Sequence, residues 1–310
     1  IKSFSNKIFI VPIKNHIEFN NSYYEGIFAI SCIGNYVYLV NKLDLEDYVS
    51  TVLPSESWPG WPDEVNKALS ICIRSYGLAK ILEQREILKK SNSNVPYDIQ
   101  NTTIHQVYKG SKDLSKFKNV VKKTKDIVLT FQNKPILAMF DISCGGIIPS
   151  KIKSEINFKK APYLNRSYSC TYCKQYKCYS WQLEFDLNEL ESHILKILPK
   201  IGKIKEIRVD TVDNAGIVQS IKVRGNSSWH RISTQKLKKF IKLKSLFFTI
   251  EQKGEKVIFE GKGFGHLVGL CQFGLRQMIE QGWDFKKALY FYYPHTILKK
   301  INRKNFKILV

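Results

Sequence analysis

Residues 52–80 read VLPSESWPGWPDEVNKALSICIRSYGLAK, and the change of pattern inside this stretch decides the fold. Pro62 suits the first turn of a helix, and Asp63 and Glu64 come next, where the helix dipole favours acids. Val65, Ala68, Leu69, Cys72, Tyr76 and Ala79 then make one stripe, with Ile71, Leu78 and Ile81 towards the other side. A helix apolar around so much of its girth is a buried one. Arg74 points away from the first stripe into apolar company, and a buried guanidinium requires a partner. Before the Pro/Gly break, LDLEDYVSTVL (43–53) also has helical spacing, with Leu45, Tyr48, Val49 and Val52 on one face. Glu56 thus sits beside Trp58 and Trp61, at the mouth of a buried helix. A carboxyl against indole rings loses solvation, and desolvation raises its pKa towards that of a general acid. The alternative is an ordinary loop or cap carboxylate.

Outward from this stretch, residues 4–40 hold strand-like runs at KIFIVPI, GIFAISCIG and YVYLVN. DIVLTF and PILAMFDIS read as two strands joined at QNKP, and SCGGIIPSK as a turn. Residues 150–185 read as irregular. LNELESHILKIL is helical; IKEIRVDTV and IVQSIKVRG form a hairpin through DNAG. STQKLKKFI reads as a capped helix, and LFFTIEQKGEKVIFEGKG as another hairpin. GLCQFGLRQMIEQG is a helix ending at Gly282, and FKKALYFYYP is a last short one. This predicts an α+β fold, with irregularly interleaved strands and helices forming lobes around a substrate cleft.

The chain has 310 residues, 44% hydrophobic and 13% aromatic, which is enough for a packed core and excludes wholesale disorder. No run approaches the ~18 apolar residues of a membrane helix. No stretch reads as a signal peptide, and since the chain begins at Ile1 rather than Met this leaves the compartment open. Forty-nine Lys+Arg against 27 Asp+Glu give a net charge of +22, which favours polyanionic partners such as nucleic acid, acidic lipid or an anionic wall polymer. A face of solvated lysines is the alternative.

Of the seven cysteines, Cys32, Cys72 and Cys271 lie in apolar surroundings and read as buried small hydrophobes. Cys170-x2-Cys173-x4-Cys178, with Cys144 upstream, makes a tetrahedral thiolate site credible, with zinc as the ion. Free thiols, or a disulfide in an exported protein, are the alternatives. Gly261, Gly263, Gly265, Gly269 and Gly274 crowd one junction around His266, which predicts positive φ angles or close backbone approach. Tyr292, Tyr293 and His295 read equally as core or as site.

Five ordered motifs resemble the SpoIID/LytB family, over roughly residues 35–300. They are LEDYVSTVLPSESW with ALSICIRSYGLAK, YDIQNTTIHQVYKG, the CGG turn at 144–146, GFGHLVGLCQFG and YYPHT. The resemblance implies a lead-in over 1–34, a catalytic domain over 35–310 with a Cys-rich segment at 144–178, and peptidoglycan lytic transglycosylase activity. Glu56 takes the position of the family's catalytic glutamate. Arg74, Tyr76, Gln106, Tyr108, His266 and Gln272 take motif positions near the cleft, with Trp58 as a further substrate-binding candidate. The chain departs from the pattern at Leu267 and Leu275. It also departs at Gln100 and His105, where sporulation members often carry two zinc-binding cysteines. The implied partners are glycan strands and a cell-wall amidase, with no nucleic acid, and with membrane proximity through a missing N-terminal anchor. The implied place is outside the cytoplasmic membrane, in sporulation, division or wall remodelling. A non-catalytic enhancer of an amidase is the second reading. A zinc-knuckle nucleic-acid binder is a third, which leaves Glu56 and the Gly-His motif unexplained.

Overall fold

Tyr36–Asp44, the longest strand, runs straight into a helix, because Asp44 is both the strand's last residue and a helix cap: its side chain accepts the N–H of Glu46 at 2.9 Å. The computed structural model describes residues 7–13, 15–91, 95–101, 106–110, 113, 117–153, 156–226, 228–302 and 307–310. They fold into two compact units, residues 1–138, 284–290 and 295–310, and residues 139–283 and 291–294. The division therefore falls after Ala138, and residues 1–34 belong to the same unit as residues 35–138.

In the first unit Tyr36–Asp44 sits in an antiparallel sheet with Ile8–Ile10, Ile27–Ile33 and Lys307–Leu309. Helix α1 (Leu45–Glu56) buries Leu45, Tyr48, Val49, Val52 and Leu53. It continues through Pro54, so Glu56 ends α1 rather than opening the next helix. Helix α2 (Asp63–Ser91) is buried on both of its predicted apolar faces. Ile127–Phe131, paired with Ile297–Lys300, packs on α2, and Ser75 Oγ accepts the N–H of Leu129 at 2.8 Å. The predicted strand PILAMFDIS is not continuous. Pro135 has no N–H, and the Ala138 N–H turns back to Ile136, so only Lys134–Pro135 and Phe140–Asp141 pair.

In the second unit Glu206–Val212, Val218–Arg224 and Trp229–Ser233 form one meander. Phe248–Lys253, Lys256–Lys262 and Ser180–Asp186 form another sheet. Trp181, Leu190, Ile194, Ile221, Val223, Phe248 and Phe259 are among the residues that fill the core. All but the last residue of Ser180–Asp186 lies inside the segment read as irregular. Its Trp181, Leu183, Phe185 alternation is a strand signal masked by the Cys-rich run before it. Phe140–Asp141 pairs in parallel with Leu270–Cys271, which leads into helix α3 (Gln272–Glu280). Among the described residues no helix is long and apolar enough to cross a membrane.

Candidate functional site

Glu56 is largely buried at the C-terminal end of α1, where the unsatisfied carbonyls of the helix disfavour a negative charge. Desolvation raises its pKa from an ordinary 4.5 to about 7, against the opposing pull of a hydrogen bond from the Val107 backbone. Around it stand phenols. Burial pushes Tyr48 far above its usual range, with the charges of Tyr76 and Glu56 adding to the effect. Burial also raises Tyr76. Tyr48 stacks on Tyr108 (5.6 Å between centroids, 21° between planes) and donates to Gln106 Oε1 at 2.9 Å. Tyr108 in turn donates to Asn41 Oδ1. The QVY element therefore lies against α1, bringing Glu56, Tyr76, Gln106 and Tyr108 into one neighbourhood.

The two tryptophans separate. Trp61 is buried, whereas Trp58 is 46% exposed, with its ring centroid 6.3 Å from that of Trp61. Gly60 turns the chain between them at φ +79°, and Asn66 ties the turn down by donating to the Trp61 carbonyl. Arg74 does not reach outward. Its Nε and Nη2 hold both carboxylate oxygens of Glu46 at 3.0 and 2.7 Å, and Nη1 donates to the Ile127 carbonyl at 3.0 Å. This arginine joins α1, α2 and the Ile127 strand, and its donors face the protein interior. Beside Tyr108 opens a pocket of about 450 Å³ whose lining includes Tyr24, Tyr38, Tyr97, Asn41 and Gln100. His105 lies outside the described residues.

In the second unit the glycine-rich turn has the geometry its composition predicts. Gly265 adopts φ +133° with no room for a Cβ against Asp141, and Gly269 adopts φ +81° against the Met139 carbonyl. Leu267 takes φ +68° without being glycine, a conformation that side-chain-bearing residues rarely adopt. Its side chain is buried with Ile147 and Ile217, and its N–H donates to Asp141 Oδ2 at 2.5 Å. His266 Nδ1 accepts the Val268 N–H at 3.1 Å, and desolvation lowers the imidazole pKa to about 4, against a hydrogen bond to the Phe140 backbone. Its side chain is still 40% exposed, and that open edge relaxes part of the shift. Burial pushes Asp141 well above the usual carboxylate range, and its Oδ2 lies 3.4 Å from His266 Nδ1. His266 faces a pocket of about 640 Å³ together with Lys153, Lys238 and Gln219. Gln272 is the buried first residue of α3.

The cysteines rearrange the expected metal set. Cys144, Cys170, Cys173 and Cys271 are buried with their four sulfurs all within 4.8 Å of one another, a grouping able to hold a metal ion. Cys271 replaces Cys178, which is half-buried outside the cluster with its thiol raised to about 11 by desolvation. Cys271 caps α3: its sulfur accepts the N–H groups of Gly274 at 3.3 Å and Cys144 at 3.4 Å, a role an apolar filler does not play. The signal is its place in the LCQFG helix start, where a side chain accepts backbone N–H groups. Cys32 corrects the other reading: it is exposed, paired across its hairpin with Val37, which is itself solvent-facing. Tyr292 and Tyr293 are buried, the first with its hydroxyl 3.2 Å from Cys170 Sγ and the second donating to the Met139 carbonyl.

Comparison with known proteins agrees with these motifs. Residues 34–131 match the family described as Stage II sporulation protein, and residues 115–269 match a domain of unknown function, DUF8618. An uncharacterized protein of Brachyspira hyodysenteriae is 32% identical over 86% of this chain and 70% of its own length. Stage II sporulation protein D of Bacillus amyloliquefaciens is 24% identical over 82% of this chain and 74% of its own length. The Amidase enhancer of Bacillus subtilis is 27% identical over 80% of this chain but only 39% of its own length. With the motif order, the glutamate-bearing first unit and these relatives in agreement, the chain belongs to the SpoIID/LytB family.

Proposed function

We propose that this protein is a peptidoglycan lytic transglycosylase, acting on the MurNAc–GlcNAc β-1,4 bond of glycan strands free of stem peptides. The observation that carries the reading is Glu56, a motif carboxyl whose pKa of about 7 leaves it substantially protonated at neutral pH. Ordinary glycosidases use two carboxylates. Here one is enough. Glu56 gives its proton to the leaving GlcNAc oxygen as the C1–O bond breaks. The 6-hydroxyl of the same MurNAc closes on C1, and its proton passes to the Glu56 carboxylate. The product is a 1,6-anhydro end, no water is consumed, and Glu56 finishes protonated. Trp58 is the exposed aromatic face for a sugar ring, and Tyr76 and Gln106 line the acid's surroundings. The +22 charge suits an anionic wall, and the proposed place of action is outside the cytoplasmic membrane. A structural zinc in the four-thiol cluster belongs to the same reading and takes no part in the glycan chemistry.

The test is mass spectrometry of glycan strands digested by wild type and Glu56→Gln. Anhydro ends from the wild type and none from the variant are expected. Reducing ends from the wild type, or undiminished turnover in the variant, would overturn the proposal. The relative named Amidase enhancer favours a second reading, in which the chain binds glycan and stimulates a wall amidase. Unbroken glycan with raised amidase turnover, unchanged in Glu56→Gln, would select it.

A further inference from the structure

Arg166 is 1% exposed and belongs to none of the motifs. Its Nη1 donates to the Tyr168 carbonyl, while among the described residues neither Nε nor Nη2 has a hydrogen-bond partner. The guanidinium instead lies among three rings, 5.4 Å from Tyr168, 5.3 Å from Phe291 and 5.7 Å from Tyr292. An arginine does not give up its proton inside a protein. Burying its charge without an opposite one is costly, and a buried guanidinium is ordinarily paired as well as stacked on rings. Asp141 is the buried carboxyl within electrostatic reach, but no ion pair joins the two among the described residues, and its Oδ2 is engaged by the Leu267 N–H.

The missing charge lies across one ring. Tyr292, whose face carries the guanidinium, has its hydroxyl on Cys170 Sγ. Four thiolates at ~2.3 Å from zinc lie ~3.8 Å apart, and Cys144 and Cys173 Sγ are 3.7 Å apart. Such a centre carries two net negative charges. Backbone N–H groups on Cys271 Sγ offset only part of them. We propose that Arg166 is the built-in counter-charge of a tetrathiolate zinc centre at Cys144, Cys170, Cys173 and Cys271, held over Tyr292 so that ion binding and burial of the arginine stabilise each other. This rests on zinc occupying the four thiols. It makes Arg166 a positioning and charge-compensating residue of that centre, outside the glycan chemistry.

The experiment is zinc stoichiometry and a chelator-competition Kd on the full chain, for wild type, Cys271→Ser, Cys178→Ser, Arg166→Met and Arg166→Lys. One zinc per chain is expected for wild type and Cys178→Ser, and none for Cys271→Ser. Arg166→Met should weaken zinc by roughly 10–100-fold, the usual cost of losing a group behind the ligands, and Arg166→Lys should recover most of it. Zinc-free wild type would overturn the zinc reading and the inference with it. Wild-type zinc affinity in Arg166→Met would overturn the counter-charge alone and leave the zinc reading standing. Should Arg166→Met fail to fold, Arg166→Lys decides: affinity within about threefold of wild type supports charge compensation, and a loss as large as that expected for Met overturns it in favour of packing.

Discussion

Among the described residues two arginines are fully buried, one in each unit, and their surroundings differ. Arg74 has a carboxylate: Glu46 meets it with both oxygens, and the Ile127 carbonyl takes a further donor. Arg166 has a cage of three aromatic rings, two donors unmatched among the described residues, and a cluster of thiols one ring away. Neither guanidinium can shed its charge, so each site must supply an opposite one. Glu56 supplies the contrast. A carboxyl can become neutral, and this one does so by raising its pKa to about 7 instead of acquiring a cation. Arg74 and Glu56 show that burial selects a partner where the charge is permanent, and a proton where it is not.

The comparison breaks most sharply at Arg74. Arg74→Met strands Glu46 in a protein interior and should cost about 3–5 kcal/mol in denaturant unfolding, whereas Arg74→Met/Glu46→Met should regain most of that loss. A double variant no more stable than the single one would show that the pair is not what the site requires. The same change at Arg166 strands no carboxylate hydrogen-bonded to it and should cost less. Next in size is Arg74→Lys, at about 2–3 kcal/mol, because one ammonium cannot serve two carboxylate oxygens and the Ile127 carbonyl from a single point. An unchanged unfolding midpoint would remove the bidentate geometry from the account.

How far the sequence carries this picture depends on whether a partner is near in the chain. The need for a partner at Arg74 is legible in its apolar helix. Glu46 is not, because an acid in a first helical turn also reads as a dipole companion, and only the packing of α1 on α2 brings the two together. Glu56 is legible as a motif carboxyl beside indoles. Its place at the C-terminal end of a helix is hidden by Pro54, which looks like a helix breaker and lies inside α1. Cys170 and Cys173 are legible by spacing. The fourth member of the cluster is not, since Cys178 is close in sequence and Cys271 is close in space through the parallel pairing of Phe140–Asp141 with Leu270–Cys271. The strand Ser180–Asp186 is obscured for a similar reason, its alternation being short and adjacent to irregular chain.

The smallest effect concerns Glu56, and its sign can be fixed. In the folded chain the carboxyl keeps its proton up to about pH 7, and the ordinary group releases it near 4.5. Between those values the folded state binds more protons than the unfolded one, so wild-type stability falls as pH rises through this window. A shift of this size corresponds to about 3 kcal/mol at most, and water at the exposed edge of the group reduces it to about 1–2 kcal/mol. Glu56→Gln has no charge to bury. Relative to wild type it should gain about 1–2 kcal/mol between pH 4.5 and pH 8, and gain nothing more above that. Thermal melts of both proteins at pH 4.5 and pH 8 measure the difference directly. The proposed chemistry tracks the same titration: the acid form acts first, so turnover should decline as pH rises through about 7. A stability gap independent of pH would mean that Glu56 ionises normally. It would then be a carboxylate at neutral pH, unable to protonate the leaving oxygen, and the contrast with the two arginines would disappear.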